Sequence, residues 1–447
     1  MNNRKTYRSI FPIIFLSIFI SNIIYGQATI DNKVKSDADS LSLKSIIEKI
    51  IAGHPSVKAA EEAINNADAR IGLAKTGYYP IADATASFAN LGPVTKLTFP
   101  GLGTFQLYPG NNYSAQINYS QLVYDFGRTR KNIDLENENK VIGEQALEQT
   151  KQKLSLYAIN NFYTLVYLQA AIKIKDEELT ALREHLAYVE KMFSTGSATE
   201  YQVLATKVKI SVVEGQKVDL TAALAAQQAS MNSLLGNNQY SNPVVKSELQ
   251  VEPPVIQSDS LLSFAYHNRD EVLLNEKKTA LAELRYGVVK LQNMPVINLQ
   301  ASAGAKNGYL PDLATFTPNY VVGLGIRIPI FDGMKNKYNL SQARSAITSI
   351  SYESELTKRG ISSELYTAEA YMSAASKKIG QFALQLKQAL KAYSLAETSF
   401  KSGVITNLDL LDASTSVSES ELMLLKAKID YTASIYILKS ALGERLY

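Results

Sequence analysis

The side chains in this 447-residue sequence that could do chemistry are carboxylates, imidazoles and hydroxyls, because it contains no cysteine. Its three histidines, His54, His185 and His267, stand alone and lack the spacing of a metal-ligand set. His54 and His267 each open a helix-forming stretch, where capping or packing is their expected work. No nucleophile sits in a base-containing pattern. Asp125 opens a DFG triplet that imitates a kinase signature, but no glycine-rich phosphate loop or catalytic-loop motif accompanies it, so it reads as the end of a strand turning into a helix. Asp409 and Asp412 lie three apart on one helical face, as a solvated acidic pair. The chemistry on offer is electrostatic rather than catalytic, so the expectation is no enzyme, no cofactor and no metal.

The elements that carry these residues occur twice. "GYYPIADATASF" from Gly77 precedes "NMPVINLQASA" by 215 positions, and "QLVYDFGRTRK" from Gln121 precedes "IPIFDGMKNK" by 207. The turns keep the second offset: Phe193 and Gly196 fall 207 before Phe400 and Gly403, and Gly236 falls 207 before Gly443. The first connection between alternating segments is therefore about eight residues longer than its counterpart. The expected organisation is a signal peptide at 1–26, a linker at 27–41, repeat one at 42–236, a Pro-containing linker at 237–260 and repeat two at 261–443.

The first 26 residues carry Arg4, Lys5 and Arg8, then an apolar run from Ile10 to Ile24 broken by Pro12, and small Gly26. That is the layout of a secretory signal, too short and interrupted for a membrane span. Its removal takes the net charge from +4 to +1, which gives nucleic acid no footing as a partner. Without cysteine, neither disulfides nor a lipid-modified N-terminal Cys can hold the mature chain, so the fold itself must engage the membrane.

The alternating segments predict strands over about 80–91, 112–123, 295–306 and 319–330. In the second, Tyr113, Ala115, Ile117 and Tyr119 oppose Ser114, Gln116, Asn118 and Ser120. In the first, Ala82, Ala84, Ala86 and Phe88 oppose Asp83, Thr85 and Ser87; in the third, Ile297, Leu299 and Ala301 oppose Asn298, Gln300 and Ser302. In the fourth, Tyr320, Val322, Leu324 and Ile326 oppose Gly323, Gly325 and Arg327. Strands of this length with one lipid-compatible face suit a tilted membrane barrel, whose lumen would then be lined by Asp83, Gln116, Asn118, Gln300 and Arg327. A soluble sandwich also alternates, but needs more strands and no long helices between them. Four strands cannot enclose a lumen, and open edges are not tolerated in lipid, so the barrel must be shared between copies; two, three or four satisfy this.

Helices are predicted over 128–193, 198–235, 334–400 and 405–442. The first and third contain no proline and run about 100 Å each, too long to fold back into a globule. Leu154, Tyr157, Ile159, Phe162, Leu165 and Leu168 recur at helical spacing. Two shorter helices, Ser56–Thr76 with Ala198–Leu235, or Glu271–Gln292 with Ile405–Leu442, match one long run when stacked end to end, giving paired antiparallel rods with Gly196 and Gly403 at the far tips. Arg128, Arg130, Lys131, Lys335 and Lys337 would lie at the barrel's inner rim, facing outer-membrane lipid headgroups.

With "YDFGRTR", "FKSGVITNLDLLDAS" and "SALG" in this order, doubling and spacing, the sequence resembles the TolC-like outer-membrane efflux proteins over nearly all of its mature length. The resemblance implies an α+β membrane protein: a homotrimer whose four strands per chain form one 12-stranded β-barrel continuing into a long antiparallel coiled-coil tunnel across the periplasm. It implies a periplasmic adaptor at the turns around Gly196 and Gly403, and an inner-membrane RND or ABC transporter beyond it. Asp409 and Asp412 match the family's aspartate rings at the inner constriction, while the first repeat has Gln202 and Ala205 there. The family's tyrosine and arginine latch positions hold Phe400 and Ile405, which leaves apolar packing to close the pore gate.

The expected function is an exit duct for small toxic compounds in a tripartite pump. A type I protein-secretion duct and a non-conducting trimeric spacer or surface protein are the alternatives. Nothing in the sequence binds or hydrolyses a nucleotide, so energy would come from the inner-membrane partner.

Overall fold

A computed structural model describes residues 42–101, 103–246, 253 and 260–447. The expected signal peptide and N-terminal linker lie outside the described residues, as does most of the second half of the inter-repeat linker.

Four strands form one antiparallel sheet: β1 Ile81–Asn90, β4 Asn111–Tyr124, β5 Val296–Lys306 and β6 Thr317–Arg327, in the order β1-β4-β5-β6. The long first connection holds a hairpin the alternation did not predict, β2 Lys96–Phe99 with β3 Gly103–Gln106, tied by Thr98 and Thr104 hydroxyls 2.9 Å apart. The register aligns Asp83 with Asn118, Asn118 with Ser302, and Ser302 with Val321. Polar therefore meets polar across β1, β4 and β5, and on β6 the same face continues with Val321 and the glycines Gly323 and Gly325. Asn118 Nδ2 donates to Asp83 Oδ2 at 3.0 Å and to Thr85 Oγ1 at 3.1 Å, and the Ser87 and Ser114 hydroxyls lie 2.8 Å apart. On the reverse face Phe88 meets Tyr113 with ring centroids 5.1 Å apart. A Cβ on Gly304 would lie 2.1 Å from the Ala115 carbonyl oxygen, so this strand crossing admits no side chain.

Helices continue from the sheet. α2 Pro55–Lys75 and α4 Glu200–Leu235 lie end to end along α3 Arg128–Ser194; α6 Asp270–Lys290 and α8 Asn407–Leu442 lie likewise along α7 Lys335–Lys401. α3 also packs on α6 and α8, joining the repeats. The helix caps explain the DFG triplet. Asp125 accepts from the Thr129 backbone N–H at 2.7 Å, from its hydroxyl at 2.6 Å and from Gly127 N–H at 3.0 Å, and so starts α3. Asp332, 207 positions on, accepts from Asn336 N–H at 2.9 Å at the start of α7.

Two further helices were not predicted, α1 Leu43–Gly53 and α5 Leu261–Asn268. α1 buries Leu43, Ile46, Ile47 and Ile50 against Ile159, Phe162 and Leu165 of α3 and Met231 of α4. Tyr157, expected in this core, is instead exposed. His267 closes α5, its Nδ1 2.7 Å from Ser263 O, rather than opening the next helix, whose first residue is Asp270. His54 does cap, accepting from Ser56 N–H.

A polar belt crosses the middle of the rods where α5 meets α6. Arg269 Nε donates to Glu271 at 2.9 Å, its Nη2 to Glu364 at 2.8 Å, and its Nη1 to the Ala441 carbonyl at 3.3 Å. Arg445 forks onto both oxygens of Asp270 at 2.7 and 2.8 Å, and Gln145 of α3 donates to the same carboxylate at 2.6 Å. Burial pushes the Glu271 carboxyl up, but the Arg269 charge beside it prevails and holds it below the usual carboxylate range.

Candidate functional site

Both tips of the rods are built alike. Gly196 and Gly403 take left-handed conformations with φ of 75° and 74°. At the first tip Gly196 N–H donates to Phe193 O at 3.0 Å and Ser197 N–H to Met192 O at 2.8 Å; at the second, Gly403 N–H donates to Phe400 O and Val404 N–H to Ser399 O, both at 2.9 Å. This paired closure of a helix C-terminus requires a residue without a Cβ at the turn.

Each returning helix then opens with a capping box. Gln202 N–H donates to Thr199 Oγ1 at 3.4 Å while Thr199 N–H donates back to Gln202 Oε1 at 3.0 Å. In the second repeat Asp409 N–H donates to Thr406 Oγ1 at 3.3 Å, and Asp409 Oδ2 accepts from Thr406 N–H at 2.8 Å and its hydroxyl at 2.7 Å. The Thr406 hydroxyl and then its N–H hold the Asp409 carboxyl below the usual range. Gln202 and Asp409 thus do the same structural work, and the Thr-x-x-Gln and Thr-x-x-Asp spacings were a readable signal for it. Asp412, one turn on, is exposed and has no side-chain partner among the described residues.

Phe400 does not present its ring at the surface, as a pore gate would need. It is 6% exposed, packed with Val189, Val203 and Leu410, with Ile405 at the edge, whereas Phe193 at the matching position is 47% exposed. Its ring meets His185 at 5.3 Å and Tyr188 at 6.3 Å between centroids. The latch position is therefore the hydrophobic core of the tip, because α3, α4, α7 and α8 converge on it from all sides.

Sequence reasoning missed a buried polar knot beside that core. Asn407 Nδ2 donates to Gln202 O at 3.2 Å and to Thr206 Oγ1 at 3.1 Å, and its Oδ1 lies 2.6 Å from His185 Nε2. The Gln202 carbonyl can only accept, so the Asn407 amide nitrogen must face it and His185 Nε2 must donate to the oxygen. One histidine thereby joins α3 to both returning helices. Its isolation in the sequence concealed this, since its hydrogen-bond partner Asn407 is 222 residues away.

At the other end of the molecule, the sheet register brings Asp83, Gln116, Asn118, Gln300 and Arg327 to one face. The opposite face carries Ala84, Phe88, Ile117, Leu299, Val322, Leu324 and Ile326, and Ile117, Leu324 and Ile326 are exposed. Tyr78, Tyr79, Tyr124, Phe126 and Phe331 cluster in sequence at the strand ends nearest the helices, all exposed, beside Arg128, Arg130 and Lys131 at the start of α3 and Lys335 and Lys337 at the start of α7. Among the described residues no helix is long and apolar enough to cross a membrane, and no group of three or more His, Asp or Glu could hold a metal ion.

Residues 46–237 and 261–444 each match the family described as "Outer membrane efflux protein". The chain is 25% identical to the solvent efflux pump outer membrane protein SrpC of Pseudomonas putida over 339 residues, 70% of this chain and 69% of that one. It is 22% identical to the cation efflux system protein CusC of Escherichia coli O6:H1 over 414 residues, 90% and 85% of the two chains. The crystal structure of the outer membrane protein VceC from Vibrio cholerae superposes with a TM-score of 0.74 at 18% identity, covering 91% of this chain and 97% of that one.

Proposed function

The chain belongs to the outer membrane efflux protein family and is an outer-membrane channel of an efflux pump, and from that premise we propose how its own residues serve the duct. Three copies close a 12-stranded barrel around the polar face of the sheet, turning Asp83, Gln116, Asn118, Gln300 and Arg327 toward water and the aliphatic face toward lipid. The aromatic and cationic residues at the strand ends meet the inner lipid interface. The paired rods extend the lumen through the periplasm, and the tips around Gly196 and Gly403 meet a periplasmic adaptor that links the duct to an inner-membrane RND or ABC transporter.

The observation that carries this reading is the open sheet: one face largely polar, one aliphatic, and both edges without a partner strand among the described residues. Such edges in lipid demand closure by further strands. Asp412, repeated around the axis, concentrates cations at the inner constriction and repels anions. Asp409 contributes its charge there while also holding the turn, and Phe400 and Ile405 keep each tip rigid from within. Substrates are small toxic compounds, the class to which the solvent and cation pumps of the relatives point.

Planar-bilayer recording of the purified protein tests this. The expected result is cation-selective conductance that rises, with weaker selectivity, in the Asp412→Ala variant. Well-folded oligomers that stay silent with both Asp409 and Asp412 replaced by alanine would instead identify a spacer.

A further inference from the structure

β1 and β6 are the two open edges of the sheet, and they run in opposite directions, as antiparallel closure against a second copy requires. Asp83 is the only charged residue of β1 and Arg327 the only one of β6; β4 has none, and the sheet's remaining charge, Lys306, ends β5 at the opposite end from Arg327. Asp83 and Arg327 share the polar face and both lie near the strand ends that join the helices. They cannot pair within one chain, because three strand spacings, about 14 Å, separate the edges. Among the described residues neither forms an ion pair.

The register of the four strands says where the edges would meet. Ile81 aligns through Ser120 and Gln300 with Gly323, whereas β6 runs on to Arg327, four residues further toward the helices. The sheet thus staggers by four residues over three strand steps, and a fourth step continues this to about five or six. Only an even stagger keeps polar facing polar, because a one-residue slip turns every side chain over. Six is the nearest even value, and it tilts the strands by about 45°, within the range of membrane barrels. It sets Val321 opposite the partner's Ala89, Val322 opposite the partner's Phe88, and Arg327 directly opposite the partner's Asp83.

We infer that the seam between copies is keyed by an ion pair from Arg327 of β6 to Asp83 on β1 of a second copy of this chain, at the helix-proximal mouth of the barrel. This rests on the shared barrel proposed above. Face matching excludes odd slips but is blind to slips of two, which leave polar on polar; the single opposite charges on the two edges are what distinguish those. The pair lies beside the water-filled lumen, so its own stabilisation is small, whereas reversing one charge sets two like charges opposite each other at every seam.

The absence of native cysteine makes the test direct. The double variant Asp83→Cys with Arg327→Cys, oxidised with copper–phenanthroline, is expected to give a reducible ladder of covalently joined copies on a denaturing gel. Asp83→Cys with Gly325→Cys, and Thr85→Cys with Arg327→Cys, report slips of two in either direction and are expected to give none. A stronger ladder from either comparator overturns the register, and silence of all three pairs in a chain that is still oligomeric on a native gel overturns the seam. A monomer on that gel overturns the shared barrel itself, which separates the two failures. In a second arm, Asp83→Arg and Arg327→Asp singly are expected to lower the oligomer's resistance to detergent, and together to restore it; singles that match the parent chain overturn the charge key.

Discussion

The tip residues show charge and structure sharing one side chain. A place for Asp409 at a constriction is implied only by a family resemblance, whereas the Thr406 spacing by itself encodes the task the structure shows, closing the first turn of α8. Repeat one does the same with Thr199 and Gln202, so Asp409→Gln should remove the charge and leave the cap. The expected outcome is weaker cation selectivity in bilayer recordings with an unchanged melting temperature. Thr406→Ala should do the reverse, costing about 1 kcal/mol of stability, read as faster hydrogen exchange in α8, with little change in selectivity. Phe400→Ala should cost about 3 kcal/mol, because it empties a packed site rather than trimming an exposed ring. Gly304→Ala forces a methyl group onto the Ala115 carbonyl oxygen and should reduce the yield of folded, protease-resistant oligomer. The roles of His185 and Phe400 could not be read from the sequence, because burial at the tip comes from two helix turns, one from each repeat, meeting across more than 200 residues of sequence.

At the scale of elements, strands and long helices were legible because each carries a single uninterrupted period, and the repeat supplied every boundary twice. What escaped were short pieces. α1 has apolar residues at Leu43, Ile46, Ile47 and Ile50, a helical spacing, but at 11 residues it is marginal on its own and is held by packing on α3 and α4. The hairpin from Lys96 to Gln106 has no counterpart in repeat two, so the duplication could not announce it. The belt was invisible for another reason: Arg269, Asp270 and Glu271 read as a charged run, and only the arrival of Glu364, Arg445 and Gln145 makes it a junction. Its pH dependence follows from Glu271. A carboxyl held below its ordinary value contributes stability that is fully present above about pH 4 and is lost as the pH falls through the lowered folded value. Protection factors in α5 and α6, corrected for the intrinsic exchange rate at each pH, should therefore fall as the pH drops below about 4, and Glu271→Gln should flatten that response.

The whole molecule leaves a good deal unburied for a single copy. α7 exposes Tyr338, Tyr352, Leu356, Tyr366 and Tyr371, and α4 exposes Tyr201, Leu204, Val208 and Val212. Apolar stripes of this extent on rods are sites of association, so conditions that separate the copies should produce chains that bind hydrophobic dyes and precipitate, and reassembly should quench the dye signal. That this sheet is too narrow to close on itself was legible from four strands alone. Which faces associate needed the sheet order and the burial along each rod. The position of the Arg269 belt has one last consequence. With 36 residues in α8 below it, the tip stands roughly 50 Å away. Because α3 and α7 run unbroken through the belt, the tips can swing about it only if those two helices curve, and a curvature of about five degrees there sweeps the tip through about 5 Å, the width of a side chain.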